Sequence, residues 1–322
     1  MSGTEQKAQA ASIFVYGALR SGTTMFRLML RAHPAFINPG EADYLFDHIA
    51  RGPDGRWSYD LDALTLSRVF RDAGLAVPDG TPERDNDGPA LLAEFLRQLQ
   101  DGSAARLVLA VHRHVDKIAA LLPEAPILHL LRDPRDVARS CIGMGWAGLP
   151  YFGVDGWIET ERAWDRVSRD LREDRALDLR YEELIRAPQD ELGRVCAFLG
   201  VPFDAAMLGY DEGSTYGAPD PSLVEQWRRK MAPQDLALVE GKLGATLVER
   251  GYQPSGVPQR TPTGLERAWM RLRDKLAVWR FLARRYGTGR VILEKASRRM
   301  GWKVLHRRVV GEIQAISRQH LR

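Results

Sequence analysis

The chain has 322 residues, of which 44% are hydrophobic and 27% charged, a composition typical of globular proteins with a substantial buried core. Its net charge of +4 is unevenly distributed, because residues 257–322 carry 17 Lys or Arg against 4 Asp or Glu and the remainder is acidic, which argues against a nucleic-acid-binding protein. No stretch of eighteen apolar residues and no signal-peptide pattern occurs, and two cysteines are too few for a disulfide framework, so we predict a cytoplasmic protein.

The first predicted element is a buried strand, Ile13–Tyr16, followed by a glycine-punctuated turn and a helix over Thr24–Arg31. Gly17 and Gly22 have the G-x-x-x-x-G spacing of a Walker loop, but Thr23 stands where that loop has its phosphate-binding lysine. A helix amino terminus still attracts an anion through its free N–H groups. The turn therefore predicts an anion site and disfavours triphosphate and Mg²⁺ chemistry. One cation and three hydroxyls add to this site: Arg20, Ser21, Thr23 and Thr24.

Apolar runs and helical patterns alternate through the first 200 residues. The further predicted strands are Leu107–Val111, Ile127–Leu131 and Ala176–Leu179, and the further helices are Val115–Leu122, Gly156–Leu171 and Gln189–Leu199. This order predicts an α/β fold, with a P-loop-like parallel sheet flanked by helices. The ligand site of such a sheet lies outside the carboxyl ends of its strands, where the turn at Gly17 falls.

A long interruption, residues 49–105, separates the first two predicted strands. It contains two helical patterns on either side of the loop PDGTPERDNDGP. Such a length exceeds that of a plain connection. We predict a helical insertion, which is either a lid beside the site or ordinary peripheral packing.

A second informative segment, ILHLLRDPRDVARS, covers Ile127–Ser140. Arg132 ends a buried strand, and Ser140 lies eight residues later in a helix that begins near Arg135. An arginine at a strand end can bind an anion through two parallel hydrogen bonds. By itself, the segment favours an ordinary ion-pair turn between Arg132 and Asp133 over anion binding.

Together, LRSGTT and LLRDPRDVARS resemble the paired nucleotide signatures of sulfotransferases, enzymes that use 3′-phosphoadenosine 5′-phosphosulfate. The resemblance spans roughly residues 13–252 and is greatest to the bacterial and tyrosylprotein branch. It implies that the first loop holds the 5′-phosphosulfate through Arg20, Ser21, Gly22, Thr23 and Thr24. It also implies that Arg132 and Ser140 hold the 3′-phosphate, and that Tyr181 of LRYEEL lies near the adenine.

Sulfuryl transfer to a hydroxyl resembles phosphoryl transfer, in which positioning and charge stabilisation dominate. The leaving group is a phosphate, so a cation must meet the charge that grows on the bridging oxygen. We assign that role to Arg20. We expect the co-substrate to react without a metal ion, since no triphosphate needs neutralising.

The resemblance implies two candidates for the general base that takes the acceptor's proton. Glu41, in AHPAFINPGEADYLF, matches the glutamate of the tyrosylprotein branch, and Asp43 lies nearby. His112, in AVHRHVDK, lies near the histidine of the small-molecule enzymes. A carboxylate base becomes effective if a closed site raises its pKa toward neutrality, whereas a histidine already titrates there. We favour Glu41 as the base, with His112 as the auxiliary or alternative.

One departure from the family concerns the second strand, where Ala110 replaces a lysine found in related chains and Arg113 is the nearest cation. Either Arg113 or an imidazolium substitutes for the lysine, or its electrostatic contribution near the transferring group is absent.

Two other functions stay open. A P-loop-type kinase or NTPase requires a lysine at position 23, and a non-catalytic nucleotide-binding module would lack a working base.

The hydroxyl-bearing acceptor is of unknown class. Aromatic residues on a glycine-rich segment after the second motif either stack on an acceptor ring or pack that segment against the core. They are Trp146, Tyr151, Phe152 and Trp157.

The sequence predicts a sulfotransferase-like α/β domain over residues 1–256 and a basic amphipathic helical extension over residues 257–322. Apolar residues recur there at helical spacing in two stripes. They are Leu265, Trp269, Leu272, Leu276 and Trp279, and then Trp302, Leu305, Val309, Ile313 and Ile316. These stripes either lie on an anionic membrane surface, or dock on the acidic body and complete the core or a homodimer.

Overall fold

A computed structural model describes residues 12–83, 85–210, 217, 220–302, 305, 308–313 and 316. The strands of this part of the chain are β1 (Ser12–Tyr16), β2 (Phe36–Glu41), β3 (Ile49–Arg51), β4 (Trp57–Tyr59), β5 (Arg106–Val111), β6 (Ile127–Leu131) and β7 (Ala176–Arg180).

The helices of the described chain fall between and after these strands. They are α1 (Thr23–Arg31), α2 (Tyr44–Asp47), α3 (Leu61–Leu66), α4 (Arg68–Asp72), α5 (Gly88–Gln100), α6 (Val115–Leu121), α7 (Pro134–Gly143), α8 (Pro150–Gly153), α9 (Asp155–Ser168), α10 (Tyr181–Arg186), α11 (Pro188–Leu199), α12 (Trp227–Lys230), α13 (Pro233–Leu243), α14 (Thr246–Glu249), α15 (Gly264–Tyr286) and α16 (Thr288–Arg299). Short 3₁₀ helices occupy Glu173–Arg175, Ala205–Gly209 and Pro221–Leu223.

Five strands form one parallel sheet in the order β2-β5-β1-β6-β7. Every residue of β1 and β6 is buried, as expected for central strands covered on both faces. The carboxyl ends of all five strands therefore meet at one edge. The predicted α/β fold and its four strands are confirmed, and α11 ends at Gly200 in the left-handed region, as predicted.

The edge strand β2 and a small antiparallel hairpin formed by β3 and β4 are not among the strands predicted from the sequence. Pro39 and Gly40 made β2 look like a turn. Its pairing with β5 shifts register between Ile37 and Gly40, and an edge position tolerates a proline because the missing N–H need not face a partner. The insertion at residues 49–105 therefore contains the hairpin β3–β4 in addition to helices α3, α4 and α5.

The described chain divides into two compact units. Unit 1 takes the described residues up to Arg132, from Trp157 to Tyr210, and Asp220 and Pro221. Unit 2 takes those from Asp133 to Gly156, Gly217, and those from Ser222 onward. Unit 1 contains the five-stranded sheet. Its largest apolar core joins residues of the sheet to the insertion and to α9, including Phe14, Leu45, Phe95, Leu107 and Trp164.

Unit 2 is helical, and buried polar groups hold it together. Arg135 donates hydrogen bonds to Asp133 at 2.7 Å and to Glu240 at 2.7 Å, and its guanidinium lies 3.6 Å from the ring centroid of Trp227. All four side chains are almost fully buried. Within the described ranges, no helix is long and apolar enough to cross a bilayer.

Candidate active site

The carboxyl ends of the five parallel strands each contribute one part of the candidate site, which lies within unit 1. Gly17 follows β1, Glu41 ends β2, His112 follows β5, Arg132 follows β6 and Tyr181 follows β7. Residues from positions 17 to 181 of the sequence therefore converge because the strands run in the same direction.

The β1–α1 turn has the backbone of an anion-binding loop. Arg20 and Gly22 both adopt left-handed conformations, with φ of 74° and 91°. The helix α1 begins after Gly22 with no side-chain cap and no acidic residue in its first turn, so an anion can meet its N–H groups. Ser21 is fully buried, and its Oγ has no hydrogen-bond partner in the described structure. These groups are suited to phosphate or sulfate oxygens.

Two glycines of this turn are required by close packing. A Cβ atom at Gly17 would lie 2.5 Å from the carbonyl oxygen of Leu130 on β6. A Cβ atom at Gly22 would lie 2.4 Å from the ring of Tyr181. Only glycine therefore allows the turn to approach β6 and the Tyr181 ring this closely.

Tyr181 and Arg132 join the two sequence motifs. The guanidinium carbon of Arg132 lies 4.1 Å from the Tyr181 ring centroid, and its Nη1 donates to the carbonyl oxygen of Arg20 at 3.1 Å. The indole Nε1 of Trp157 donates to the carbonyl oxygen of Arg132 at 3.0 Å. The structure thus brings Arg20, Gly22, Arg132 and Tyr181 together on one side of the loop.

His112 and Glu41 form a polar pair on the other side. His112 Nε2 lies 3.8 Å from Glu41 Oε1, and His112 Nδ1 donates to the carbonyl oxygen of Gly17 at 2.8 Å. Since a carbonyl only accepts, this bond places a proton on Nδ1 and directs Nε2 toward Glu41. The histidine side chain is 5% exposed and the glutamate side chain 56% exposed, so Glu41 is the member that solvent or an acceptor can reach.

The two side chains shift each other's pKa. Interaction with His112 lowers the pKa of Glu41, and the charges of Arg27 and Arg113 act in the same direction, against the opposing effect of burial. Burial disfavours the imidazolium of His112, but Glu41 and the Gly17 carbonyl outweigh it and raise its pKa. Glu41 is consequently held as a carboxylate, the form that accepts a proton. This shift is opposite to the raised pKa expected of an effective carboxylate base, because the adjacent imidazole stabilises the carboxylate.

Asp43 has a supporting position that the sequence did not reveal. Its Oδ1 accepts hydrogen bonds from the backbone N–H groups of His112 at 3.0 Å and of Arg113 at 2.9 Å, and the residue is buried. It therefore fixes the turn that carries His112. Arg113 itself donates two hydrogen bonds of 3.0 Å to Asp47.

Ser140 lies on α7, which belongs to unit 2, whereas Arg132 is the last residue of its segment of unit 1. The role of Ser140 at a 3′-phosphate stays a prediction.

Among the aromatic residues predicted to contact either the acceptor or the core, Tyr151 and Trp157 are buried, so packing accounts for them, while Trp146 is 50% exposed. Among described residues, no cluster of three or more His, Cys, Asp or Glu is arranged to hold a metal ion.

Comparisons with known proteins agree with this architecture. A protein-tyrosine sulfotransferase from Drosophila melanogaster is 26% identical over 216 residues, which cover 62% of this chain and 40% of that protein. The nodulation protein NoeE of Sinorhizobium fredii is 25% identical over 295 residues, covering 75% of this chain and 66% of that protein. The chain thus spans about two fifths to two thirds of these curated relatives.

Among solved structures, the sulfotransferase domain of the Synechococcus PCC 7002 olefin synthase has a similar fold, with a TM-score of 0.53 at 23% identity. The match covers 72% of this chain and 94% of that domain. The sulfotransferase domain of the curacin biosynthetic pathway also has a TM-score of 0.53, at 20% identity, over 75% of this chain and 97% of that domain. The profile described as "Sulfotransferase family" matches residues 12–205, which include β1 to β7 and the parts of the site in unit 1, and the chain belongs to that family.

Proposed function

We propose that this chain is a sulfotransferase that moves a sulfuryl group from 3′-phosphoadenosine 5′-phosphosulfate to an acceptor hydroxyl. The observation that carries the proposal is the position of the uncapped α1 turn beside the Glu41–His112 pair. An anion-binding loop lies next to a carboxylate that can take a proton. Membership of the sulfotransferase family supports the same reaction.

The residues of unit 1 fit the donor nucleotide. The first-turn N–H groups of α1, the buried Ser21 hydroxyl and the Thr23 and Thr24 hydroxyls would bind the 5′-phosphosulfate. Arg132 would bind the 3′-phosphate. Tyr181, held between Gly22 and Arg132, would support the adenine.

In the transfer itself, a bond forms between the acceptor oxygen and sulfur while the bond between sulfur and the bridging phosphate oxygen breaks. The donor supplies the activated sulfuryl group and leaves as 3′-phosphoadenosine 5′-phosphate. Arg20 and the N–H groups of α1 stabilise the charge that develops on the leaving phosphate. The enzyme needs no covalent intermediate, since in-line displacement depends on orientation and charge.

Glu41 takes the proton of the acceptor hydroxyl, and His112 holds the Glu41 side chain in position. The Nδ1–H bond to Gly17 couples His112 to the phosphate loop, so the base and the loop hold a fixed geometry. The pair lowers the pKa of Glu41, so the carboxylate stays ionised to a lower pH than an ordinary glutamate would.

Calorimetric titration tests the donor assignment. We expect binding of 3′-phosphoadenosine 5′-phosphate without Mg²⁺ and little binding of ATP with Mg²⁺, since Thr23 replaces the lysine of nucleoside-triphosphate enzymes. The opposite preference would favour the kinase or NTPase alternative.

Transfer is tested with donor labelled in its sulfuryl group and a panel of hydroxyl acceptors: tyrosyl peptides, carbohydrates, lipids and small phenols. We expect label on at least one class with the parent chain and much slower labelling of that class with Glu41→Gln. Nucleotide binding with no transfer to any class, and no slow hydrolysis of the donor, would indicate a non-catalytic binding module.

A further inference from the structure

The long helix α15 presents an apolar stripe to the outside of unit 2. Its exposed fractions are 87% for Leu265, 61% for Trp269, 48% for Leu272, 45% for Leu276 and 37% for Trp279. At about 100° per residue these five side chains lie within one arc of roughly 80°. Large exposed apolar side chains scattered singly are ordinary, but a continuous row on one helix face indicates a binding surface.

The opposite face attaches the helix to its own unit. Asp274 Oδ1 accepts hydrogen bonds from the backbone N–H groups of Gly148 at 2.7 Å and of Leu149 at 2.9 Å. A Cβ atom at Gly148 would lie 2.6 Å from the Cβ atom of Ala277, so the helix packs closely on this loop. A Cβ atom at Gly145 would lie 2.2 Å from the ring of Phe281. The attachment fixes the rotation of α15 and directs the apolar stripe outward.

Basic side chains line both borders of the stripe. Arg271 and Lys275 flank it on one side, and Arg273 and Arg280 flank it on the other, all of them exposed. Long cationic side chains in this position can extend their charge to lipid headgroups while their methylene groups stay with the apolar face. Tryptophans at the stripe suit the boundary between headgroups and acyl chains.

We propose that α15 docks unit 2 on an anionic lipid bilayer surface, with the helix lying in the plane of the membrane. The charge of the basic borders favours an anionic bilayer as the binding partner of the stripe. A second copy of the chain placed on the same face would bring two sets of cationic borders together, and like charges at that distance repel. An anionic bilayer supplies an apolar layer for the Leu and Trp side chains and negative headgroups for both borders.

Cosedimentation with lipid vesicles tests the proposal on the full-length chain. We expect it to bind vesicles of phosphatidylcholine with 30% phosphatidylserine at low salt, to bind phosphatidylcholine alone far more weakly, and to dissociate at high salt. Binding should also shift tryptophan emission to shorter wavelength and protect it from acrylamide.

Matched variants distinguish vesicle binding through the apolar stripe from the effect of changing any exposed residue. Trp269→Glu/Leu272→Glu should lower the partition coefficient by roughly 100-fold or more, because apolar contact is lost and like charge is added. The control Leu66→Glu/Val248→Glu changes two other exposed apolar residues and should leave partitioning near the parent value. Arg271→Gln/Lys275→Gln should lower it about 30-fold, with Arg162→Gln/Arg169→Gln, exposed in unit 1, as the control.

Circular dichroism of each variant confirms that it is folded. Absence of vesicle binding by the parent overturns the proposal, as does equal loss in the stripe and control variants. Sedimentation equilibrium on the same proteins gives the other informative outcome. If the parent is a dimer and Trp269→Glu/Leu272→Glu is a monomer, the stripe holds a second copy instead of a membrane.

Discussion

The site in unit 1 is built from residues that are far apart in the sequence, whereas helix α15 in unit 2 is built from consecutive residues. The site collects Gly17, Glu41, His112, Arg132 and Tyr181 from the ends of five strands, and none of these residues has its role without the others. Helix α15 is one run of 23 residues with its own capping box and amphipathic pattern. The site depends on contacts between residues far apart in sequence, whereas the helix depends on neighbours three and four residues away.

The two regions should therefore respond differently to substitution. A substitution in the site disturbs partners on another strand, so it should change nucleotide binding, turnover or the stability of unit 1. A substitution in the cap or stripe of α15 should change that helix or its surface and leave nucleotide binding intact.

The largest effect is expected for Glu41→Gln, which keeps the shape of the side chain and removes proton acceptance. Turnover should fall by about 10² to 10⁴, with nucleotide affinity nearly unchanged. Steady-state kinetics and calorimetry measure the two quantities. In the parent, the acidic limb of kcat/KM should lie below the ordinary glutamate pKa of about 4.3, because His112 lowers the pKa of Glu41.

His112→Asn is the matched change at the other member of the pair. It should reduce turnover less than Glu41→Gln does, and it should move the acidic limb upward toward the ordinary glutamate value. If His112→Asn abolishes turnover and Glu41→Gln retains it, the histidine is the base and the roles are exchanged.

A smaller effect, on stability, is expected from the buried histidine of β6. His129 Nδ1 lies 2.8 Å from Asp178 Oδ1 and Nε2 lies 3.3 Å from Glu161 Oε1. Burial disfavours its charged form, but the two carboxylates outweigh burial and raise its pKa. The stabilisation is therefore complete below the unfolded-state pKa of about 6.5 and is lost as the pH rises through the raised folded-state pKa.

Urea unfolding across this pH range measures the contribution. His129→Gln should destabilise the chain by about 3 kcal/mol at low pH, because it removes the imidazolium that faces the buried Glu161 carboxylate, and the stability of the variant should fall less with rising pH. His48→Gln, at the end of α2, is the control. An unchanged pH dependence in His129→Gln would show that this network does not control the stability of unit 1.

A change at Gly22 tests the contact between the loop and Tyr181. Gly22→Ala should weaken binding of 3′-phosphoadenosine 5′-phosphate by about tenfold or more, since the new Cβ must displace the aromatic ring. Gly200→Ala has a comparable left-handed backbone, with φ of 70° and open space around the position, so it carries the backbone strain without the clash. Equal nucleotide affinity in the two variants would contradict the assigned contact.

The smallest effect is expected at the cap of α15. Thr263 and Glu266 form a reciprocal capping box, with Glu266 Oε2 accepting from the Thr263 N–H at 2.8 Å. Thr263→Ala should cost about 1 kcal/mol of helix stability, seen as faster amide exchange in the first turns, without loss of nucleotide affinity. Thr263→Ser should restore protection, and a failure to restore it would mean that the hydroxyl is not the stabilising group.

Local sequence pattern predicted much of the framework. β1, β5, β6 and β7 are short apolar runs bounded by turn residues, and the anion loop is a glycine spacing followed by a helix start. It missed β2, because Asn38, Pro39 and Gly40 have the chemistry of a turn and only pairing with β5 makes them part of a strand. The hairpin β3–β4 was missed because strands of three residues are too short to show a period.

The family signatures, the positions of the anion loop and of Glu41, and the amphipathic pattern of α15 can be read directly from the chain, because each depends on residues that are close together in it. The fold was needed to show that His112 is held by Gly17 and Asp43, and that the ring of Tyr181 lies against Gly22 and Arg132. It also decided which face of α15 is exposed, through the hydrogen bonds of Asp274 to Gly148 and Leu149. Hydrogen-bond partners and burial depend on which distant segments meet, and a one-dimensional pattern carries no record of that.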